Sequence, residues 1–143
     1  MKFVVYSRAV MEQATPSDKA WAVISICEKG NFPEIMTNDN LVGRLNLQFH
    51  DVDFFKNGER EDDRILFNHS HAKQVLDFFQ EMQARGAMVL YVHCLAGMCR
   101  SAAVAAALQK ITTNDDHIWF ATKRPNMRVY RCILEQAADR GLL

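Results

Sequence analysis

The chain has 143 residues, the size of one domain, and 49% of them are apolar, enough for a real core. Lysine plus arginine and aspartate plus glutamate stand at 17 each, so the charge cancels. This excludes the general basic bias of a nucleic-acid binder and the acidic bias of a disordered chain. No apolar stretch approaches the roughly 20 residues that span a bilayer.

In chain order, residues 3–6 are expected to form a first strand. This apolar opening is too short for a secretion signal. That sets the expectation of a cytoplasmic protein whose four cysteines, Cys27, Cys94, Cys99 and Cys132, are free thiols. Residues 8–13 suit a short helix, ended by the turn chemistry of Thr15-Pro16-Ser17-Asp18. A second strand spans 21–26, and the Gly-, Pro- and Asn-rich stretch 28–40 reads as loop. A third strand runs through 41–49 and gives way to His50-Asp51-Val52-Asp53. The charged, aperiodic run from Lys56 to Arg64 reads as an exposed loop.

Ala72, Val75, Leu76, Phe79 and Met82 recur at helical spacing, with Asn68 or Ser70 as cap and Gly86 beyond the end. Residues 88–92 form a strand, and 100–110 an alanine-rich helix. Thr113 or Asn114 can cap a short helix over 115–121, which Pro125-Asn126 breaks. Met127, Tyr130, Ile133, Leu134 and Ala137 mark a last amphipathic helix. Strands alternating with helices predict an α/β fold. The sheet is mainly parallel, of four to five strands, with helices on both faces, and residues 1–143 form one domain. Ligands of such sheets sit at the carboxyl ends of the strands. Both Phe49→His50 and Val92→His93 emerge there.

The central stretch is His93-Cys94-Leu95-Ala96-Gly97-Met98-Cys99-Arg100-Ser101. It reads as a loop between a buried strand and a buried helix, with backbone amides converging at the positive end of the helix dipole. Such a loop is a site for an oxyanion. Cysteine attacks as thiolate, and the helix N-terminus, the convergent amides and Arg100 all favour that form of Cys94. Gly97 permits dihedrals or close approaches denied to other residues. The planar fork of Arg100 matches two phosphate oxygens. Ser101 can donate a hydrogen bond to the thiolate as it leaves, and His93 is expected to hold the loop through hydrogen bonds. A cysteinyl-phosphate route also needs an acid that protonates the leaving oxygen and later deprotonates water. Asp51 and Asp53 are the candidates at the neighbouring strand end, with Asp62 and Asp63 in the charged run.

The motif His-Cys-x-x-Gly-x-x-Arg-Ser resembles the signature of cysteine-dependent protein tyrosine phosphatases, and the chain's size is similar to the compact dual-specificity group. The resemblance extends from the strand before Asp51, through the helix of Ala72 to Met82, to Pro125-Asn126 at the start of the last helix. It implies a dual-specificity-phosphatase-like fold, with Cys94 as nucleophile and Arg100 as phosphate clamp. Ser101 is the implied helper and Asp51 the implied general acid, and no metal or other cofactor is implied. The phosphate-binding loop is then Leu95, Ala96, Gly97, Met98, Cys99 and Arg100. The gap from Asp51 to Cys94 is longer than usual for the family, and Asp62 or Asp63 fits that spacing better. Asp51 is preferred because it directly follows the strand, with Asp53 second and 54–64 read as an insertion.

The expected partner is a phosphorylated protein or peptide, with no membrane and no nucleic acid. The uncharged loop residues Leu95, Ala96 and Met98 speak against a highly charged lipid headgroup. Alternatives are a phosphatase of nucleotides, RNA 5′-phosphates or phosphoinositides, a sulfur-transfer enzyme, and a phosphate-binding module without catalysis. Cys99 is either filler beside the pocket or a redox partner of Cys94. Cys27 and Cys132 read as buried small residues. His69-x-His71 lacks further ligands at metal-binding spacing. The basic group Lys123, Arg124, Arg128 and Arg131 is either a solvated face or an attractor for substrate.

Overall fold

The computed structural model describes residues 1–53 and 64–143. Asp62, Asp63 and the charged run from Lys56 onward, apart from Arg64, lie outside the described residues. Four strands form one sheet: β1 (Lys2–Ser7), β2 (Trp21–Cys27), β3 (Leu41–Gln48) and β4 (Val89–Cys94). Their order is β1-β4-β2-β3 and every pairing is parallel. β4 is therefore central, with Ser7 of β1 opposite Cys94 and Ser25 of β2 opposite His93.

Side chains alternate across the strands, and this alternation divides the core in two. Ala22, Ile24 and Ile26 of β2 and Leu90, Val92 and Cys94 of β4 face the larger cluster. There they meet α2 (His69–Ala84), α3 (Arg100–Thr113) and α5 (Met127–Asp139). Trp21, Val23, Val89 and Tyr91 belong to a second cluster with Met11 of α1 (Arg8–Gln13). Both faces carry helix, as expected. Among the described residues one face has only the six-residue α1, joined by Ile35 from the loop that follows β2.

Two local expectations are corrected, the bounds of the loop and the cap of the short helix near 115–121, and one open choice of cap is decided. His93 and Cys94 belong to β4, and Arg100 and Ser101 to α3, so the loop proper is only residues 95–99. The strand continues because β1 pairs with β4 through Ser7↔Cys94. Of the two caps weighed for α2, Asn68 serves, accepting from the Ser70 and His71 amides while His71 Nδ1 accepts the Asn68 amide. Neither Thr113 nor Asn114 caps α4 (His117–Thr122), whose N-cap position is Asp116. Asn114 instead ends α3 in the left-handed conformation at φ 59°, which asparagine tolerates better than most residues. Among the described residues, no helix is long and apolar enough to cross a membrane.

Candidate active site

The loop is built by its carbonyls. Leu95 O accepts the Arg8 amide at 3.2 Å, Met98 O the Arg124 amide at 3.1 Å, and Cys99 O the Asn126 amide at 2.9 Å. With these carbonyls turned outward, the amides of Ala96, Met98 and Cys99 have no protein acceptor among the described residues. This is the arrangement of a backbone anion nest at the N-terminus of a 14-residue helix. Gly97 is essential to it. Its φ is +68°, and a Cβ there would stand 2.6 Å from Ser7 N and 2.7 Å from Tyr6 C. Both objections to a side chain raised by the sequence, the dihedral and the close approach, apply at this one residue.

Cys94 is buried at the floor. Its Sγ lies 3.1 Å from Ser101 Oγ and accepts the Gly97 amide at 3.3 Å. Burial alone pushes the thiol up. Hydrogen bonds from the Ser101 hydroxyl, the Ser101 amide and the Gly97 amide, together with the Arg100 charge, outweigh it and hold the thiol below its ordinary value. The other three cysteines shift the opposite way. Burial raises Cys27, Cys99 and Cys132, and Asp51 and Cys94 add to the rise at Cys99. All four are free thiols.

Arg100 is buried and anchored through one edge. Its Nη1 donates to Phe49 O at 3.0 Å and faces Glu28 Oε1 at 3.7 Å. Nε and Nη2 donate to no protein acceptor among the described residues, which leaves one edge of the guanidinium fork for a ligand. The strand end that precedes Asp51 is not β4's neighbour as expected, since β2 lies between β3 and β4, yet it contributes the main-chain carbonyl that orients Arg100.

The carboxylates Asp51 and Asp53 are both exposed and both bound to the start of α5. Asn126 Nδ2 donates to Asp51 Oδ1 at 2.8 Å, and the Arg128 amide donates to Asp53 Oδ1 at 3.0 Å. Asp53 therefore satisfies an orphan amide of the first helical turn, a structural task. Asp51 lies close enough to the loop for its charge to raise the Cys99 thiol, and both residues bound one cavity.

His93 is buried and does not hold the loop directly. Its Nε2 meets Ser25 Oγ on β2 at 2.7 Å, and Nδ1 has no partner among the described residues. Burial first, then the charges of Arg44 and Arg8, push its pKa down to about 4, so the ring is neutral. It links β4 to β2 at the position immediately before Cys94. His71 is likewise occupied: with Nδ1 accepting the Asn68 amide, Nε2 is the donor to Gln48 O at 3.1 Å. Among the described residues no three His, Cys, Asp or Glu side chains are grouped to hold a metal ion.

Two cavities flank the loop. One of about 160 Å³ is bounded by Arg8, Cys27, Glu28, Lys29, Leu95 and Arg100. The other, about 400 Å³, lies on the acid side, bounded by Asp51, Cys99, Phe120, Lys123, Arg124 and Met127 among others. Sequence reasoning missed Arg8, Cys27 and Glu28. Arg8 opens α1, Cys27 ends β2 and Glu28 follows it, all without a motif, and the pairing of β1, β4 and β2 brings them to Arg100.

A parallel α/β sheet with a Cys-to-Arg loop on its central strand defines the class of scaffold: the chain has the compact dual-specificity-phosphatase fold. It is similar to human DUSP28, at 16% identity and a TM-score of 0.58 over 97% of this chain and 94% of that one. It is also similar to PTPMT1 in complex with PI(5)P, at 15% identity and 0.57 over 98% and 94%. Human tyrosine phosphatase-like serine/threonine/tyrosine-interacting protein matches at 21% identity and 0.53, over 83% and 77%. No protein-family model and no curated protein matches the sequence.

Proposed function

We propose that this chain is a protein tyrosine or dual-specificity phosphatase that works through a cysteinyl-phosphate intermediate, as one domain over residues 1–143. The observation that carries the reading is the depressed thiol of Cys94 inside a nest of amides beside the open edge of Arg100. Arg100 and the loop amides bind the phosphate of a monoester. The Cys94 thiolate attacks phosphorus, the P–O bond to the leaving group breaks, and Asp51 gives its proton to the departing oxygen. Asp51, now a carboxylate, takes a proton from water as that water attacks phosphorus. The P–S bond then breaks, and Ser101 stabilises the departing thiolate at 3.1 Å. Asp53 is the second choice for the acid, and its bond to the Arg128 amide is what places it behind Asp51. Such a thiolate needs a reducing compartment. Four free cysteines fit one, and the cytoplasm is the setting this reading takes.

The test is hydrolysis of p-nitrophenyl phosphate in the presence of a chelator. Turnover that disappears in Cys94→Ser and in Arg100→Ala is the expected result. Turnover that survives Cys94→Ser overturns the mechanism.

A further inference from the structure

The basic group near the last helix divides when its contacts are traced. Arg128 is occupied, its Nε donating to Phe67 O at 2.8 Å. Arg131 is exposed and bounds neither cavity at the loop. Lys123 and Arg124 do bound one, the 400 Å³ cavity beside Asp51, and their side chains have no ion-pair partner among the described residues. The Arg124 amide is bonded to Met98 O, so this pair is fixed to the phosphate loop itself. The same cavity is lined by Phe120, Pro125 and Met127, and Phe120 is 41% exposed.

Under the reading above, Asp51 protonates the leaving group, so the leaving group must pass beside Asp51. The cavity there mixes polar and apolar lining, with Phe120, Pro125 and Met127 able to pack against an aromatic side chain and with Lys123 and Arg124 lacking ion-pair partners among the described residues. The two carboxylates of the cavity are engaged with the start of α5, Asp51 by Asn126 and Asp53 by the Arg128 amide, whereas Lys123 and Arg124 have no ion-pair partner among the described residues. We propose that Lys123 and Arg124 select phosphotyrosyl peptides with an acidic residue within two positions of the phosphotyrosine. This deepens, and rests on, the reading of the loop as a phosphatase site. Charge complementarity identifies the occupant, since the neutral chain presents no general attraction for acidic partners.

The experiment compares two phosphotyrosyl peptides that differ only in Glu or Gln flanking the phosphotyrosine. Both are assayed with the wild-type chain and with Lys123→Glu/Arg124→Glu, using p-nitrophenyl phosphate as a substrate without flanks. The wild type is expected to favour the Glu peptide in kcat/KM by roughly three- to tenfold, the range of two exposed ion pairs. The variant is expected to reverse that preference and to keep its p-nitrophenyl phosphate rate. Equal turnover of both peptides by the wild type, or a preference that survives the charge reversal, overturns the proposal. A loss confined to phosphoinositide headgroups in the variant also overturns it. Peptide binding to Cys94→Ser, read by fluorescence anisotropy, separates the two layers. Glu-selective binding without any turnover overturns the phosphatase reading alone, and unselective binding overturns the selection.

Discussion

Asn126 couples Asp51 to the last helix: its Nδ2 donates to Asp51 Oδ1 at 2.8 Å, while its Oδ1 accepts the Val129 amide at 3.1 Å. One buried side chain therefore caps α5 and aims a carboxyl group toward the phosphate loop. Asn126→Ala removes both contacts. The cap is worth about 1 kcal/mol, so thermal stability falls measurably. The loss of aim is read kinetically. With phenyl phosphate, whose leaving group needs a proton, kcat is expected to fall about tenfold, against a smaller fall with p-nitrophenyl phosphate. Asp51→Asn should show the same leaving-group dependence with a larger drop, about 100-fold. Asp53→Asn, which keeps an oxygen to accept the Arg128 amide and loses only the charge, should show none.

Ser101 acts on the thiol from 3.1 Å, and its hydroxyl is the strongest of the groups that lower Cys94 against burial. Ser101→Ala shifts the balance toward desolvation, which raises the thiol. The acidic limb of the kcat/KM profile should move to higher pH, since more alkali is then needed to form the nucleophile. Because the proposed route makes the thiolate also the leaving group of the second step, phosphoenzyme should accumulate. Stopped-flow assays are expected to show a burst of p-nitrophenol in the variant, followed by a steady state about tenfold slower than wild type. A profile and a burst unchanged from wild type would separate Ser101 from the chemistry.

Glu28 faces Arg100 Nη1 at 3.7 Å, too far for a hydrogen bond, whereas Phe49 O accepts from the same nitrogen at 3.0 Å. Orientation comes from the carbonyl, and the carboxylate contributes only charge. The pair is half in solvent, with the Glu28 side chain 42% exposed, which limits its strength. Glu28→Gln frees Arg100 from a competing anion. Inhibition by inorganic phosphate should tighten about two- to fivefold, with kcat changed by less than about twofold. Weaker phosphate inhibition would make Glu28 a positioning residue.

The reach of the sequence follows from what kind of signal each residue carries. Cys94, Gly97, Arg100 and Ser101 lie within eight positions, and the dihedral, packing and charge demands of one loop fix their types. The parallel sheet was legible from apolar strands alternating with helices, and β2 and β4 are buried throughout. The loop boundaries were not, because Cys94 looks like the first residue of a turn until Ser7 is seen paired beside it. Arg8, Glu28 and Asn126 were missed as site residues or given only a turn's role. Each acts through a neighbour from a different strand or helix, and no local spacing records such a contact. The four-cation group shows the same limit. Sequence places Lys123, Arg124, Arg128 and Arg131 together, but only the bond from Arg128 to Phe67 O separates the occupied from the free.

His93 gives the chain a pH dependence of its own. The ring is fully buried, Nε2 meets Ser25 Oγ, and desolvation with the Arg44 and Arg8 charges brings its pKa down to about 4. An unfolded histidine titrates near 6.5. Above about pH 6.5 both states are neutral and His93 adds no pH dependence. Between 6.5 and 4 the unfolded chain takes up a proton that the folded chain refuses, so stability falls as pH falls, and it levels off below 4. Between pH 7 and pH 4.5 this one group is expected to remove about 2 kcal/mol. His93→Asn keeps a polar partner for Ser25 and deletes the titration. Urea unfolding of both proteins at the two pH values isolates the difference, because all other groups are shared. The variant is expected to be less stable at pH 7, where a buried contact is lost, and to lose about 2 kcal/mol less than wild type on acidification. Parallel losses in the two proteins would mean that His93 is protonated in the folded state, and its bond to Ser25 would then be a charge-assisted one.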